Sequence, residues 1–306
     1  MSFQLTILGS SGALPAYGRF PSSQYLNIQR HHILIDCGEG IQTQLKRFSI
    51  PSQKIDKIFI SHLHGDHYLG LMGLLFSMHL NRRTNDLHLY SQPGLDQIIT
   101  LQLKYSKSVL NYKLIFHTIP ERNTVCLYED KTLTIHTIPL KHKVPCTGFL
   151  FREKPKLRKI NKEVLPKDIL LAHIAKLKLG EDVYNDEGKL QYKNQDYTLP
   201  PRPSFSFAYC SDTAYDEGIV EQIKEVDLLY HEATFMQEHE DKAAITLHST
   251  TLQAAKIASL AKAKCLLIGH YSARYRALNA LQEEASSLFK NTKLAIEGET
   301  IDLEKL

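Results

Sequence analysis

Cysteine is scarce in this 306-residue sequence: there are five, at positions 37, 126, 146, 210 and 265. The number is odd and no two make a CxxC pair, which excludes a disulfide framework. Most stand among apolar neighbours and read as small buried side chains. An excess of one charge is also lacking, the formal net charge being +4. A role with nucleic acid therefore requires a local basic patch, not a basic chain. No apolar run approaches the ~20 residues of a membrane span. The start, MSFQLTILGSSG, has no basic segment followed by a long apolar stretch, so no secretory signal is expected. Repeats and low-complexity blocks are missing as well. With 43% hydrophobic and 23% charged residues, the chain reads as globular, cytoplasmic and free of the membrane. Its length suits one large α/β domain or two small ones.

What is present is a succession of short apolar runs and helical patterns. Strand-like runs come first, at 3–8, 24–29 and 32–36, followed by a helix at 39–48 and a strand at 57–61. A buried helix is expected at 69–80, strands at 87–91, 114–119 and 133–140, and a helix at 93–105. Later, SFAYCSD (206–212), VDLLYHEA (226–233) and CLLIGHY (265–271) read as strands. The clearest helix is STTLQAAKIASLAKA (249–263), with Ser249 or Thr250 as its cap. Between 152 and 202 the apolar periodicity weakens. REKPKLRKINKEVLPK (152–167) carries seven Lys/Arg against two Glu, and LPPRP (199–203) closes the stretch. It reads as an insertion within one 1–306 domain, and its plainest meaning is a solvated loop.

The stretch SHLHGDH (61–67) packs three histidines and an aspartate into seven positions. His62 and His64 alternate along a turn and can reach one ion. Asp66 and His67 follow closely enough to face a second. Imidazole and carboxylate suit zinc or similar borderline metals, and Gly65 permits the tight bend between them. Four later strand-like runs end in residues of the same kind: His142, Asp212, His231 with Glu232, and His270. Ligands in α/β proteins gather at the carboxyl ends of strands, so two packed sheets would bring these ends to one rim. His31, His32, His79, His88, His117, His136, His173 and His239 have no such context and read as surface or packed residues.

With His142, Asp212 and His270 downstream, HLHGDH resembles the metallo-β-lactamase fold. That resemblance implies an α/β, four-layer αββα sandwich with a two-metal site along one edge. His62, His64 and His142 would hold one zinc ion; Asp66, His67 and His270 would hold the other, with Asp212 bridging. LGSSGALP (8–15), DCGEGIQTQ (36–44), HEATF (231–235), LHST (247–250) and HYSARY (270–275) are similar to ribonuclease Z, the endonuclease of tRNA 3′ ends, over nearly the whole chain. KLKLGEDVYNDEGK (176–189) resembles part of that family's protruding tRNA-gripping arm, which gives the basic insertion a meaning beyond a loop. Two features depart from the family. No Gly-Pro pair precedes the 176–189 segment. The loop PAYGRF (15–20) keeps Pro15 and Arg19 but has Tyr17 and Phe20 where the family often has Lys and Asn.

The resemblance implies a homodimer of subunits with two zinc ions each, acting on precursor tRNA. A hydroxide held between two metals would attack the phosphodiester, with Asp66 orienting or deprotonating the water. His248, oriented by Glu232, would protonate the leaving oxygen. The products would be a tRNA with a free 3′-hydroxyl and a 5′-phosphorylated trailer. Arg274 and Arg19 are candidate phosphate contacts near the site, and Lys154, Lys156, Arg158 and Lys159 are candidates on the arm; a structural ion pair is the equal alternative for Arg274. Two other readings compete. One is a less selective phosphodiesterase or 3′-exoribonuclease on the same scaffold. The other is a non-catalytic RNA-binding subunit, which the complete ligand set disfavours.

Overall fold

The computed structural model describes residues 3–306. The chain opens with β1 (Phe3–Gly9), β2 (Ser23–Ile28) and β3 (His31–Ile35), then α1 (Ile41–Arg47), β4 (Lys57–Phe59), α2 (Gly65–Tyr68), α3 (Leu71–Leu80), β5 (Leu87–Ser91), α4 (Leu95–Tyr105) and β6 (Leu114–Thr118). β7 (Cys126–Glu129), β8 (Leu133–Leu140) and β9 (Cys146–Glu153) begin a second sheet. After a stretch of small elements come β14 (Ser206–Cys210), β15 (Leu228–Glu232), α7 (Glu240–Thr246), α8 (Thr251–Leu260), β16 (Cys265–Gly269), α9 (Asn279–Leu288) and β17 (Thr292–Leu294). The stretch before β14 holds β10 (Lys159–Ile160), α5 (Leu171–Leu179), β11 (Val183–Tyr184), β12 (Leu190–Tyr192), α6 (Asn194–Tyr197) and β13 (Thr198–Leu199). The last strand, β18 (Thr300–Asp302), returns to pair with β1.

Two seven-stranded sheets result, ordered β18-β1-β2-β3-β4-β5-β6 and β17-β16-β15-β14-β9-β8-β7. β3 to β6 run parallel, as do β14 to β17. Parallel strands covered on both faces need continuous apolar sequence, and every residue of β14, β15 and β16 is buried. The sheets meet through aromatic rings: Phe59 packs edge-on against Phe149 and Phe151 at 5.2 and 5.9 Å between centroids. On the outer face of the first sheet, α3 buries Leu71, Leu74, Leu75 and Met78, the i, i+3, i+4, i+7 stripe of one helical face. On the outer face of the second, α8 and α9 bury Ala254, Ile257, Ala258, Leu281 and Ala285. The architecture is the expected αββα sandwich.

The strands expected at 3–8, 87–91 and 133–140 are present within a residue. The runs at 57–61 and 206–212 carry shorter strands, because their carboxyl ends leave the ladder toward the rim, and the run at 226–233 keeps Leu228–Glu232 as strand. Three strands of the second sheet, β7, β9 and β17, have no counterpart in the sequence pattern. In β9, Gly148 interrupts the apolar run, yet a Cβ there would lie 2.4 Å from the Tyr209 carbonyl oxygen. Close strand contact demands the glycine that hides the strand. α7 buries only Ala243 and α9 only Leu281 and Ala285, and both are rich in charge or small polar residues, so neither stood out as an apolar run.

Residues 129–134 and 152–204 form a second compact unit. Within it, Leu177 and Val183 are buried, and Gly180 closes α5 in the left-handed region at φ 94°. Asn194 ties the unit together, receiving a hydrogen bond on its backbone oxygen from Thr198 Oγ1 at 2.8 Å and donating from its own backbone N–H to Asp182 at 2.6 Å. The weak periodicity of 152–202 reflects this small core, held by turns and side-chain hydrogen bonds more than by an apolar stripe.

Thr250, not Ser249, caps α8. Its hydroxyl accepts from the Gln253 N–H, and the Gln253 side chain accepts from the Thr250 N–H, a reciprocal capping box. Thr250→Ala is expected to lower unfolding stability by roughly 1–2 kcal/mol, read as a shifted urea midpoint with an unchanged slope.

Candidate metal centre

The polar rim is made by residues just past the strands. His62 and His64 follow β4, α2 carries Asp66 and His67, His142 follows β8, Asp212 follows β14 and His270 follows β16. Ser61 to His67 cannot continue the ladder, because the Ser61 N–H donates to Asp36 Oδ1 at 2.7 Å instead. The loop after β1 closes one side: the Ala13 N–H donates to Asp66 Oδ2 at 2.8 Å. A Cβ at Gly12 would stand 2.9 Å from the His270 ring, so only glycine lets this loop approach.

Two ligand groups converge. In the first, His62 Nε2, His142 Nε2 and His64 Nδ1 approach one another, His64 Nδ1 lying 3.0 and 3.2 Å from the other two. In the second, His67 Nε2 and His270 Nε2 lie 3.4 and 3.5 Å from Asp66 Oδ2. Asp212 stands between them. Its Oδ2 is 3.6 and 3.8 Å from His62 and His142, and its Oδ1 is 3.4 and 3.2 Å from His67 and His270.

The far nitrogens of these rings are already committed. His67 Nδ1 donates to Asp36 Oδ2 at 2.8 Å, His142 Nδ1 to the Leu247 carbonyl at 2.9 Å, and His270 Nδ1 to Thr234 Oγ1 at 2.8 Å. Ser61 Oγ gives its own proton to Asp36 and so receives the His62 Nδ1 proton, at 3.0 Å. These partners assign the tautomers and turn unprotonated Nε2 atoms toward the centre. Lone pairs facing lone pairs cannot hydrogen bond to each other. His67 Nε2, His270 Nε2 and Asp212 Oδ1 are buried and have no hydrogen-bond partner. No lysine or arginine among the described residues pairs with Asp66 or Asp212. Such a set of donors fits divalent cations, and imidazole with carboxylate suits a borderline metal. Cys146, 3.6 Å from His62 Nδ1, is not part of it: burial pushes its thiol well above the usual range.

Electrostatics agree with that assignment. Burial holds His62 well below the ordinary histidine pKa, and His64 and His142 below it too, so the first trio is neutral as ligands must be. Burial alone would lower His67, but Asp212, Asp36 and Asp66 carry it well above; a bound cation answers the same negative charge. Burial would likewise raise Asp66, and His67 and His270 outweigh it, keeping the carboxylate ionised.

His248 lies beside the centre, its ring 5.0 Å from His142 and 5.3 Å from His270. Its Nδ1 donates to Glu232 Oε1 at 2.8 Å. Burial would lower its pKa, but the Glu232 charge and hydrogen bond raise it to about 9. The fully buried Glu232 is a hub, accepting also from the backbone N–H groups of Thr213, Ser249 and Thr234 and from the Thr234 hydroxyl. His231, its neighbour, donates Nδ1 to a backbone carbonyl and takes no part in the centre. The eight histidines set aside from the sequence lie outside all three metal-compatible groups of the described residues.

The expected substrate contacts fare differently. Arg274 is exposed, makes no ion pair among the described residues, and lies 5.3 Å over the Phe235 ring, which itself flanks His248. Arg19 donates to the carbonyl oxygens of Tyr275 and Arg276 at 2.5 and 3.2 Å, which ties the 15–20 loop to the segment after β16. On the second unit, Lys154 and Lys156 pair with Glu129 and Glu153, Arg158 donates to Thr198, and Lys159 is exposed.

Three supporting residues escaped the sequence reading. Asp36 stood in a quoted motif without a role; it sits at φ 56° and collects protons from Ser61, Tyr209 and His67. Thr234 relays Glu232 to His270. Glu297 accepts from Phe20 N–H at 2.6 Å and from Gln44 at 2.8 Å, pinning the loop that carries Ala13. Only three-dimensional contact reveals Glu297, which lies far along the chain from the loop it holds. Asp36→Asn is expected to leave the protein folded by circular dichroism while weakening divalent-metal affinity about 10–100-fold, measured by competition with a chelating dye.

Comparison with known proteins fits this geometry. A family model described as anti-Pycsar protein Apyc1 matches residues 3–159, a stretch that ends before Asp212, Glu232, His248 and His270. A ribonuclease Z of Cytophaga hutchinsonii is 47% identical over 97% of this chain and 95% of its own length. One of Bacteroides fragilis is 43% identical over 98% and 99%. Among solved structures, the short form of human tRNase Z superposes with a TM-score of 0.72 at 26% identity, covering 98% of this chain and 99% of that one. The metallo-β-lactamase-fold protein YhfI of Bacillus subtilis gives 0.69 at 19% identity over 98% of both chains, a likeness of fold. With 47% and 43% identity to these two ribonucleases over nearly their whole length and its own, the chain belongs to the ribonuclease Z family.

Proposed function

We propose that this chain is a zinc-dependent endoribonuclease that removes the 3′ trailer from precursor tRNA. The observation that carries the reading is Asp212, whose two oxygens face two separate ligand groups beside the His248–Glu232 pair. One ion per group gives two per subunit. Two zinc ions held by these seven side chains would supply Lewis acidity toward water and the phosphate oxygens. Zinc rather than another divalent ion is supported by the imidazole-rich donor set.

The chain's own groups supply the rest. Asp66 Oδ2 faces the His67 and His270 nitrogens and accepts from the Ala13 N–H, and its Oδ1 is assigned to orient or deprotonate the attacking water. His248 keeps its Nδ1 on Glu232, so its Nε2 proton points to the centre, ready for the leaving oxygen. The raised pKa keeps that proton in place at neutral pH. Protonating that oxygen leaves a 3′-hydroxyl on the tRNA and a 5′-phosphate on the trailer. Arg274, free of carboxylates and braced on Phe235, is placed for a phosphate near His248.

The 152–202 insertion, read as a tRNA-gripping arm of the single 1–306 domain, would supply affinity through its exposed cations, and affinity of this kind falls with salt. The homodimer and the cytoplasmic setting rest on the family resemblance. Among the described residues no helix is long and apolar enough to cross a membrane. Sedimentation of the free protein checks the dimer: an active monomer would contradict it.

Mapping the cut on a 3′-extended precursor tRNA tests the activity. One cut at the trailer junction is expected; stepwise shortening would favour a 3′-exoribonuclease. Elemental analysis should find two zinc ions per chain. His248→Ala should keep both ions and lose ~10²–10⁴-fold in turnover; loss of metal would make His248 a ligand. Glu232→Gln removes the charge that raises His248. The acid form of His248 is present below its pKa and lost above it, so the alkaline limb of the kcat profile should move to lower pH. Replacing 152–202 by a Gly-Ser linker should preserve hydrolysis of bis(p-nitrophenyl) phosphate and raise the KM for precursor tRNA.

A further inference from the structure

One carboxylate outside the centre holds the loop that closes it. Glu297 lies between β17 and β18, where the chain crosses from the second sheet to the first. It is half-buried, and both of its oxygens are used. Oε1 accepts from the Phe20 N–H at 2.6 Å and the Ser10 N–H at 3.3 Å. Ser10 and Phe20 are the two legs of the loop between β1 and β2, and the Phe20 carbonyl accepts in turn from the Ser10 and Ser11 N–H groups at 3.0 and 2.9 Å. Oε2 accepts from Gln44 of α1 at 2.8 Å, and the same amide donates to the Leu8 carbonyl at 2.6 Å. The end of β1, both loop legs and α1 therefore meet at one anionic group, and hydrogen bonds to an anion are the strong ones.

The far end of this loop rests on the second ligand group. Ala13 donates to Asp66 Oδ2 at 2.8 Å, and Gly12 passes against the His270 ring. Ala13 does so at φ 59°, a conformation that a residue with a Cβ keeps only where its surroundings impose it. Other bonds fix one leg each. Gly12 donates to the Tyr271 carbonyl at 2.9 Å on the first leg, and Arg19 reaches the Tyr275 and Arg276 carbonyls from the second. Glu297 is the side chain that joins the two. We propose that Glu297 is a positioning residue for the second ligand group: by joining the legs it holds Ala13 on Asp66 and Gly12 on His270, and so sets the affinity of one ion and not of the other. The inference rests on the reading of the rim as a two-ion phosphodiesterase centre. Without the carboxylate the legs part, Ala13 relaxes, and the Asp66 side chain is free to turn. His62 and His142 are supported instead by Ser61 and the Leu247 carbonyl, which the loop does not carry.

The test titrates zinc against a chelating dye, resolving the two ions, in the wild type, Glu297→Ala, Glu297→Asp and Glu297→Gln. Alanine should weaken one ion roughly tenfold, the lower end of what groups behind the ligands contribute, and leave the other as it was. Aspartate keeps the charge but is one methylene too short to span loop and helix, and should behave like alanine. Glutamine keeps an oxygen for the Phe20 and Ser10 N–H groups and should restore most of the affinity. Thr250→Ala, which lowers stability away from the loop, should bind both ions as the wild type does. With zinc saturating, kcat for bis(p-nitrophenyl) phosphate should fall in the alanine and aspartate variants at unchanged KM, because Asp66 orients water and does not bind the substrate. Wild-type affinity for both ions in Glu297→Ala, or in Glu297→Asp where the alanine variant does not fold, would overturn the proposal. So would an equal loss of both ions, the same loss in Thr250→Ala, or a failed rescue by glutamine, since each makes Glu297 a support of the fold alone. A wild type that takes up one ion overturns the two-ion reading and the proposal with it; one that binds two ions but hydrolyses no phosphodiester overturns the proposed function, and the titration still decides on Glu297.

Discussion

The two oxygens of Asp212 stand between two sets of imidazoles in a buried pocket, with no lysine or arginine partner among the described residues. Burying a carboxylate is costly unless it is paired or ligates a cation. Every other feature of the rim answers that cost. The rings turn their unprotonated nitrogens inward because Ser61, Asp36, Leu247 and Thr234 hold the opposite nitrogens. Outer partners of this kind fix both tautomer and aim. The sheets matter for the same reason. The candidate ligands come from four separate segments and meet only if strand ends are held to a fraction of an ångström, and the Phe59–Phe149–Phe151 contact between the sheets gives that rigidity.

Glu232 joins a candidate metal ligand to the proposed proton donor. One of its oxygens holds His248; the other, through Thr234, holds His270. A single buried carboxylate therefore orients both the candidate acid and a candidate ligand, and five donors keep it ionised against a burial that would protonate it. Disturbing it moves the acid and the ligand together. On the proposed roles His248 stands beside the seven candidate ligands without being one of them: Glu232 stabilises its proton, and a protonated nitrogen cannot ligate.

Much of this was legible in the sequence, and the limits are physical. HLHGDH displays its ligands because they lie within one turn, and His142, Asp212 and His270 show themselves because apolar runs precede them. The αββα layering came from the resemblance to the metallo-β-lactamase fold; the runs themselves gave only a succession of strands and helices. β9 was hidden by Gly148, which strand contact requires, and α9 by a face of small polar residues. Asp36 looked like part of a motif since its task, holding His67, exists only after β3 and α2 meet. Arg19 shows what charge alone conceals. A conspicuous arginine in a loop near the centre reads as a substrate contact, whereas its guanidinium is committed to the carbonyls of Tyr275 and Arg276. Charge is visible in sequence; prior commitment of that charge is not.

The rim also carries backbone strain where its chemistry is. Asp36, Leu247 and His270 all adopt left-handed conformations, at φ 56°, 56° and 59°. None is glycine, and each such residue costs roughly 1–3 kcal/mol in general. Each has a use. Asp36 is turned so that its carboxylate reaches His67 and Ser61 at once. Leu247 directs its carbonyl to His142 and delivers His248 as the next residue. His270 leaves β16 at an angle that lets Gly12 pass against its ring while Nδ1 finds Thr234. A relaxed backbone at any of the three would aim its side chain or carbonyl elsewhere. The two packed sheets with their helices hold the strained residues in place, so the stability of the sandwich is what maintains the geometry of the centre.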